Sequence, residues 1–135
     1  MYENEVYEGI LELIEELYNR GKKIILATSK PEHFAKIILA HIGVAKYFTF
    51  IAGSEMSHTR VDKIEVMEYA FENCGIKDYK NAIMIGDREY DIIGANHFNM
   101  DSVGVLYGYG SKEELENAGA TFVVSKAMEV LNIVD

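Results

Sequence analysis

One stretch decides the fold: Ala82-Ile83-Met84-Ile85-Gly86-Asp87-Arg88-Glu89-Tyr90-Asp91. Its apolar half does not alternate with polar residues, which predicts a β-strand buried on both faces, as in a parallel sheet. Gly86 allows the chain to turn, so Asp87 lies at the carboxyl end of that strand, where open α/β sheets bind ligands. A helix from Glu89 to Asn96 would place Asp91 one turn in, so that its carboxylate can point toward the same spot.

Asp87 and Asp91 would together offer hard carboxylate oxygens at this end of the sheet. Mg²⁺ is usually bound through one or two carboxylates, together with waters and substrate phosphate. We therefore predict that Asp87 and Asp91 are metal ligands. The alternative is that Asp87 only caps the helix, which is a common role for aspartate at a helix start.

The segment Lys22-Lys23-Ile24-Ile25-Leu26-Ala27 predicts a second buried strand, and it ends at the hydroxyl residues Thr28 and Ser29. Pro31 can occupy the first turn of the helix that follows, because its missing N–H and fixed φ fit that position. Backbone N–H groups at such a helix start form an anion site, so we predict that Thr28 and Ser29 bind phosphate. The alternative is an ordinary Ser/Thr cap.

Lys63 lies near the start of an amphipathic helix that runs to about Cys74. A lysine at this end opposes the helix dipole, which favours anions at a helix N-terminus. That small penalty indicates a function for Lys63. The alternative is a surface lysine without one.

Strands and helices alternate along the chain, without linkers, repeats or low-complexity tracts. This order predicts an α/β fold, a doubly wound, Rossmann-like parallel sheet in three α/β/α layers. With 135 residues, we expect a single domain spanning residues 1–135 with a real core. Strands are expected near residues 23–28, 47–52, 82–86, 102–106 and 121–124, and helices near residues 10–18, 31–41, 63–74, 89–96, 112–117 and 126–131.

Composition limits the partners and the compartment. A net charge of −9 argues against nucleic acid and against anionic membrane surfaces. No apolar stretch approaches the length of a membrane span. Cys74 is the single cysteine, so no internal disulfide can form, and a cytoplasmic location is expected. The four histidines are scattered and lack the grouped spacing of a zinc site.

Taken in order, three of these segments resemble the second, third and fourth motifs of the haloacid dehalogenase-like (HAD) hydrolases: the strand ending at Thr28, the helix with Lys63, and Gly86-Asp87-x-x-x-Asp91. The likeness is closest to the phosphoglycolate phosphatase and 5′-nucleotidase-like branch, and it runs from Val6 to about Val130. It implies that Thr28 and Lys63 are catalytic, that Thr28, Ser29 and Lys63 bind phosphate, and that Asp87 and Asp91 bind Mg²⁺.

The chain also departs from the family. HAD hydrolases begin with a strand carrying Asp-x-Asp-Gly-Thr, whose first aspartate is the nucleophile, and no such motif occurs in these 135 residues. Residues 1–7 resemble the stretch where the mobile cap ends and the core resumes. The resemblance therefore implies an incomplete HAD core, without the catalytic strand and the cap. Arg88 stands where a small residue is often found, which could alter what enters the site above Asp87.

For an intact family member, the resemblance implies a Mg²⁺-dependent phosphomonoester hydrolase that acts on a small phosphorylated metabolite through an aspartyl-phosphate. This chain alone is expected to be inactive and to bind Mg²⁺ weakly or not at all. Its expected partners are a second copy of itself or a complementing N-terminal fragment.

Other function classes remain open. The chain could be a complementing half of a split phosphatase, or a non-catalytic binding or interaction module on the same fold. A receiver-like signalling domain is disfavoured, because its acidic pair would lie on the first strand and its lysine after the last.

Overall fold

The computed structural model describes residues 9–54, 62–106 and 110–134. The expected junction of cap and core, at residues 1–7, lies outside the described residues. The helices are α1 (Ile10–Asn19), α2 (Glu32–His41), α3 (Lys63–Cys74), α4 (Glu89–His97) and α5 (Lys112–Ala118). The strands are β1 (Ile25–Pro31), β2 (Phe50–Ser54), β3 (Ile83–Gly86), β4 (Asp101–Val105) and β5 (Phe122–Val124), and short 3₁₀ helices occur at Ala45–Tyr47, Tyr79–Asn81 and Ala127–Asn132.

The described residues form two compact units. The first unit consists of residues 14–54 and 62–77, and the second consists of residues 9–13, 78–106 and 110–134. None of the described helices is long and apolar enough to cross a lipid bilayer.

In the first unit, β1 and β2 form a parallel pair, with Ala27 opposite Ala52. Helices α2 and α3 pack against this pair. The fully buried residues Ala52, Val66 and Ala70 form its core. These small side chains bring α3 close to the sheet, so the start of α3 lies against the strand.

A capping box defines the start of α3. The Asp62 carboxylate accepts a hydrogen bond from the Glu65 backbone N–H at 2.9 Å, and the Glu65 carboxylate accepts one from the Asp62 N–H at 3.4 Å. Two of the helix's unpaired N–H groups are thereby satisfied. Lys63 is consequently the first helical residue, as the amphipathic pattern predicts.

In the second unit, β3, β4 and β5 form a parallel sheet in that order, with Gly86 opposite Gly104. The central strand β4 is buried from Ser102 to Val105. Ile92 of α4 and Leu115 of α5 are both 0% exposed, which makes them the core that joins these helices to the sheet.

Parallel strands connected through helices confirm the α/β, Rossmann-like fold class. The single domain over residues 1–135 stays a prediction.

The expectation that β1 and β3 are buried on both faces is wrong. Residues 83–85 of β3 and 25–28 of β1 are only half-buried, whereas β4 is buried. Within residues 9–54, 62–106 and 110–134, β3 pairs only with β4 and β1 only with β2. A strand paired on one side leaves its other edge open, and this exposes its side chains.

Three elements differ from their predictions in type or by more than one residue. β2 begins at Phe50, because residues Ala45–Tyr47 form a 3₁₀ helix, and residues Ala127–Asn132 form a 3₁₀ helix instead of an α-helix. β1 continues to Pro31, which precedes α2 instead of occupying its first turn. The ψ of 134° at Pro31 is extended, so the helix cannot begin before Glu32.

Candidate functional site

The Thr28 segment forms a bulge in β1. Ala27 pairs with Ala52 and Pro31 with Ser54, so residues 28–30 lie opposite Gly53 alone. The Thr28 hydroxyl accepts a hydrogen bond from the Lys30 N–H at 3.2 Å, and this local turn stabilises the bulge. Thr28 is half-buried and Ser29 is exposed.

The start of α2 differs from the anion site that the sequence predicts. Its first helical residue, Glu32, places a carboxylate there, and this group accepts a hydrogen bond from the Gly53 N–H at 3.3 Å. A carboxylate in this position is itself stabilised by the positive end of the helix dipole. Phosphate binding by Thr28 and Ser29 therefore stays a prediction, and it depends more on the bulge than on α2.

Lys63 contacts β1 just before its bulge. Its Nζ donates a hydrogen bond to the carbonyl oxygen of Ala27, the residue immediately before Thr28. The first unit thus brings together Lys63 and Thr28, which are 35 positions apart in the sequence. The Lys63 ammonium group therefore contacts the backbone where the bulge that carries Thr28 begins.

In the second unit, the structure brings Asp87 and Asp91 together. Asp91 Oδ2 accepts hydrogen bonds from the backbone N–H groups of Asp87 at 3.1 Å and Arg88 at 3.3 Å. Gly86 makes room for this contact, since a Cβ at that position would lie 2.2 Å from Asp91 Cβ. The residue at the N-cap of α4 is Arg88, not Asp87.

Glu114 of α5 is a residue that the sequence does not indicate. Its Oε2 accepts hydrogen bonds from Arg88 Nε at 2.9 Å and from the Glu89 N–H at 2.7 Å. The Arg88 bond raises the pKa of Arg88 and lowers the pKa of Glu114, so both groups are charged at neutral pH. The opposite charges of Arg88 and Glu114 are the only feature of the sequence that could suggest this pair. Because the two residues are 26 positions apart, the sequence does not show that they meet.

Gly110 packs directly on the loop that carries Asp87. A Cβ at Gly110 would lie 2.1 Å from the carbonyl oxygen of Asp87. The next residue, Ser111, caps α5 by accepting a hydrogen bond from the Glu114 N–H at 3.0 Å. Gly110 and α5 therefore support the Asp87 loop from one side.

Metal binding by Asp87 and Asp91 stays a prediction. The part of the chain that the structure describes contains no group of three or more His, Cys, Asp or Glu side chains that could hold a metal. The chemistry of this donor set fits Mg²⁺, which usually takes only one or two protein carboxylates.

Comparisons with known proteins identify the family. The sequence model of the haloacid dehalogenase-like hydrolases matches residues 2–105. A 5′-nucleotidase from Pseudomonas aeruginosa is 41% identical over 115 residues, 85% of this chain and 52% of that protein. A phosphoglycolate phosphatase from Vibrio parahaemolyticus is 30% identical over 129 residues, 96% of this chain and 56% of that protein. The crystal structure of a "predicted phosphatase" from Clostridium acetobutylicum is similar with a TM-score of 0.88 and 45% identity, covering 94% of this chain and 58% of that one.

The chain spans about half the length of the curated relatives it matches. Their names confirm the branch that the motifs predict. Parallel sheets with flanking helices agree with the fold of the solved phosphatase. The chain belongs to the haloacid dehalogenase-like hydrolase family.

Proposed function

We propose that this chain forms part of a Mg²⁺-dependent phosphomonoester hydrolase that acts on a small phosphorylated metabolite through an aspartyl-phosphate. The strongest support is the contact between the Lys63 ammonium group and the carbonyl oxygen of Ala27, the residue that precedes Thr28. Phosphoryl transfer requires chiefly the positioning of the phosphoryl group and the stabilisation of its charge. A cation and a hydroxyl at one strand end can supply both.

In this mechanism, Thr28 and Lys63 hold the phosphoryl group. The Thr28 hydroxyl accepts from the Lys30 N–H, and its own hydrogen can still be donated to a phosphoryl oxygen. Lys63 acts as a point charge between the phosphate and the attacking carboxylate. Ser29, exposed beside Thr28, adds a second hydroxyl.

Asp87 and Asp91 would hold Mg²⁺, which would supply positive charge to offset the charge of the phosphoryl group. Asp91 has a second role, because its Oδ2 holds the backbone of Asp87 and Arg88 in place. The attacking aspartate of the family belongs to the Asp-x-Asp-Gly-Thr motif, which does not occur in these 135 residues. A nucleophile supplied by another segment is therefore part of the proposal.

The experiment compares the chain alone with a fusion. The chain alone is expected to hydrolyse p-nitrophenyl phosphate with Mg²⁺ no faster than background, because it lacks the attacking group. Fusion to the portion of the Pseudomonas 5′-nucleotidase that the chain does not match should give Mg²⁺-dependent turnover. Lys63→Met in the fusion should then lower kcat by about 10²–10³-fold, the usual cost of removing a group that stabilises developing charge.

Lys77→Met is the matched control, since Lys77 is an exposed lysine of the same unit. It should leave kcat unchanged. Robust turnover by the chain alone, abolished by Asp87→Asn, would contradict the expected inactivity and show that another carboxylate attacks. A folded but inactive fusion would instead favour a non-catalytic binding module.

We expect the chain alone to bind Mg²⁺ weakly, because Asp87 and Asp91 provide only part of a magnesium shell. Titration calorimetry at millimolar Mg²⁺ should therefore show little heat. Asp87→Ala should remove that heat, and Asp101→Ala, which changes an exposed aspartate on β4, should not. Tight binding that persists in Asp87→Ala would refute the metal assignment.

A cytoplasmic location is also part of the proposal. Cys74 is the single cysteine of the chain, and burial raises the pKa of its thiol. A lone cysteine cannot form an internal disulfide, which suits a reducing compartment.

A further inference from the structure

Glu114 caps a helix to which it does not belong. The first N–H groups of an α-helix have no partner within the helix. In α4, the N–H of Glu89 is one of these groups, and it donates to Glu114 Oε2 at 2.7 Å. The same oxygen accepts from Arg88 Nε at 2.9 Å, a charge-assisted bond of the stronger kind.

Two carboxylates thereby hold three consecutive N–H groups. Asp91 Oδ2 accepts from the N–H groups of Asp87 and Arg88, and Glu114 Oε2 accepts from the next one, that of Glu89. The positions of these peptide groups fix the backbone at Asp87, and therefore the point from which its side chain extends. Asp91 lies on α4 itself, so Glu114 is the member of this pair that ties the loop to a different element.

Glu114 is itself held in place. Ser111 caps the start of α5 through the Glu114 N–H at 3.0 Å. The next residue, Leu115, is 0% exposed and lies against Gly104 of β4. The Glu114 carboxylate is only partly exposed, with 22% of its side chain accessible. Because Glu114 lies on α5 and α5 packs on β4, the packing of α5 helps to fix the position of the Asp87 loop.

We propose that Glu114 is a positioning residue for the Asp87 and Asp91 metal site. It acts through the backbone N–H of Glu89 and the side chain of Arg88, and does not itself bind the ion. This role rests on the proposed function, because it presumes that Asp87 and Asp91 bind a divalent cation. Residues that orient metal ligands typically change metal affinity by about 10–100-fold when they are removed.

The test uses the full chain with Mn²⁺ as the probe, because paramagnetic broadening of amide NMR signals detects weak binding residue by residue. In the wild-type chain, Mn²⁺ should broaden the signals of residues around Asp87. Glu114→Ala should weaken the apparent affinity by about tenfold. Glu114→Gln keeps an oxygen that can accept both hydrogen bonds, so it should recover most of the affinity.

Glu113→Ala is the matched control, since Glu113 is an exposed neighbour of equal charge. Its loss should change the affinity by less than about twofold, because exposed charges are screened by salt. Amide hydrogen exchange supplies a second readout. The Glu89 N–H should exchange faster in Glu114→Ala than in Glu113→Ala or in the wild-type chain.

The outcomes separate the two claims. Equal Mn²⁺ affinity in Glu114→Ala and the wild-type chain would overturn the positioning role and leave the metal site standing. Equal losses in Glu114→Ala and Glu113→Ala would overturn it too, since the effect would then be one of charge alone. If Mn²⁺ broadens no signal around Asp87 in the wild-type chain, the proposed metal site is refuted, and so is the positioning role of Glu114.

Discussion

Gly110→Ala is expected to lower the free energy of unfolding by about 3 kcal/mol, at the upper end of the usual cost of overpacking. The new methyl group would lie 2.1 Å from the Asp87 carbonyl oxygen, well inside van der Waals contact. The obstructing atom belongs to the backbone, so it cannot move aside by a side-chain rotation. Since a domain's whole stability is roughly 5–15 kcal/mol, the variant should unfold at clearly lower urea concentration.

Gly43→Ala is the control for this prediction. Gly43 has φ +81°, and no atom lies within 4 Å of the place that a Cβ would take, so alanine there meets backbone strain but no clash. That strain costs about 1–2 kcal/mol. Urea unfolding of both variants decides the matter: a loss in Gly110→Ala no larger than in Gly43→Ala would show that the loop can move away.

The purified chain is expected to associate with itself. In the described residues, β1 pairs only with β2 and β3 only with β4, and both strands are half-buried apolar segments. Open strand edges of this kind pair with other chains. If water is excluded from such an edge, each unsatisfied backbone group costs about 1–3 kcal/mol, which favours association over exposure.

Sedimentation over a concentration series measures this directly, with the average mass expected to rise with concentration. A peptide carrying an Asp-x-Asp-Gly-Thr strand should compete with association and raise the unfolding temperature, because it can pair with an open edge. A folded monomer at every concentration would refute self-association. Stabilisation by the peptide without any change in mass would point to a complementing fragment as the partner.

Elements with a strong local signal could be predicted from the sequence. The helix at Lys63 has a capping residue, an apolar stripe and Gly75 at its end, and the structure starts and ends it as predicted. The strand at residues 83–86 was indicated by an apolar run that stops at glycine. The boundary at Pro31 was wrong, because Pro fits either the end of a strand or the first turn of a helix, and local chemistry does not choose between them.

Some contacts of the candidate site could likewise be predicted from the sequence, and others could not. Asp87 and Asp91 are four residues apart, so the helix period alone brings them together. Thr28 and Lys63 could be paired only through the resemblance to the family, and the structure supplies their proximity. The sequence does not indicate Glu114, since it belongs to no motif and acts on the loop from a different helix.

The amino-acid sequence by itself determined the α/β class, the family and the residues at the ends of the strands, because periodicity, capping and motif spacing are local properties. Only the tertiary structure decided how those residues are held. The bulge at Thr28 depends on the register between β1 and β2. The Asp87 loop depends on Glu114, which packing of α5 on β4 brings within 2.7 Å of the Glu89 N–H. Such contacts depend on how distant elements pack together, and no local pattern encodes that.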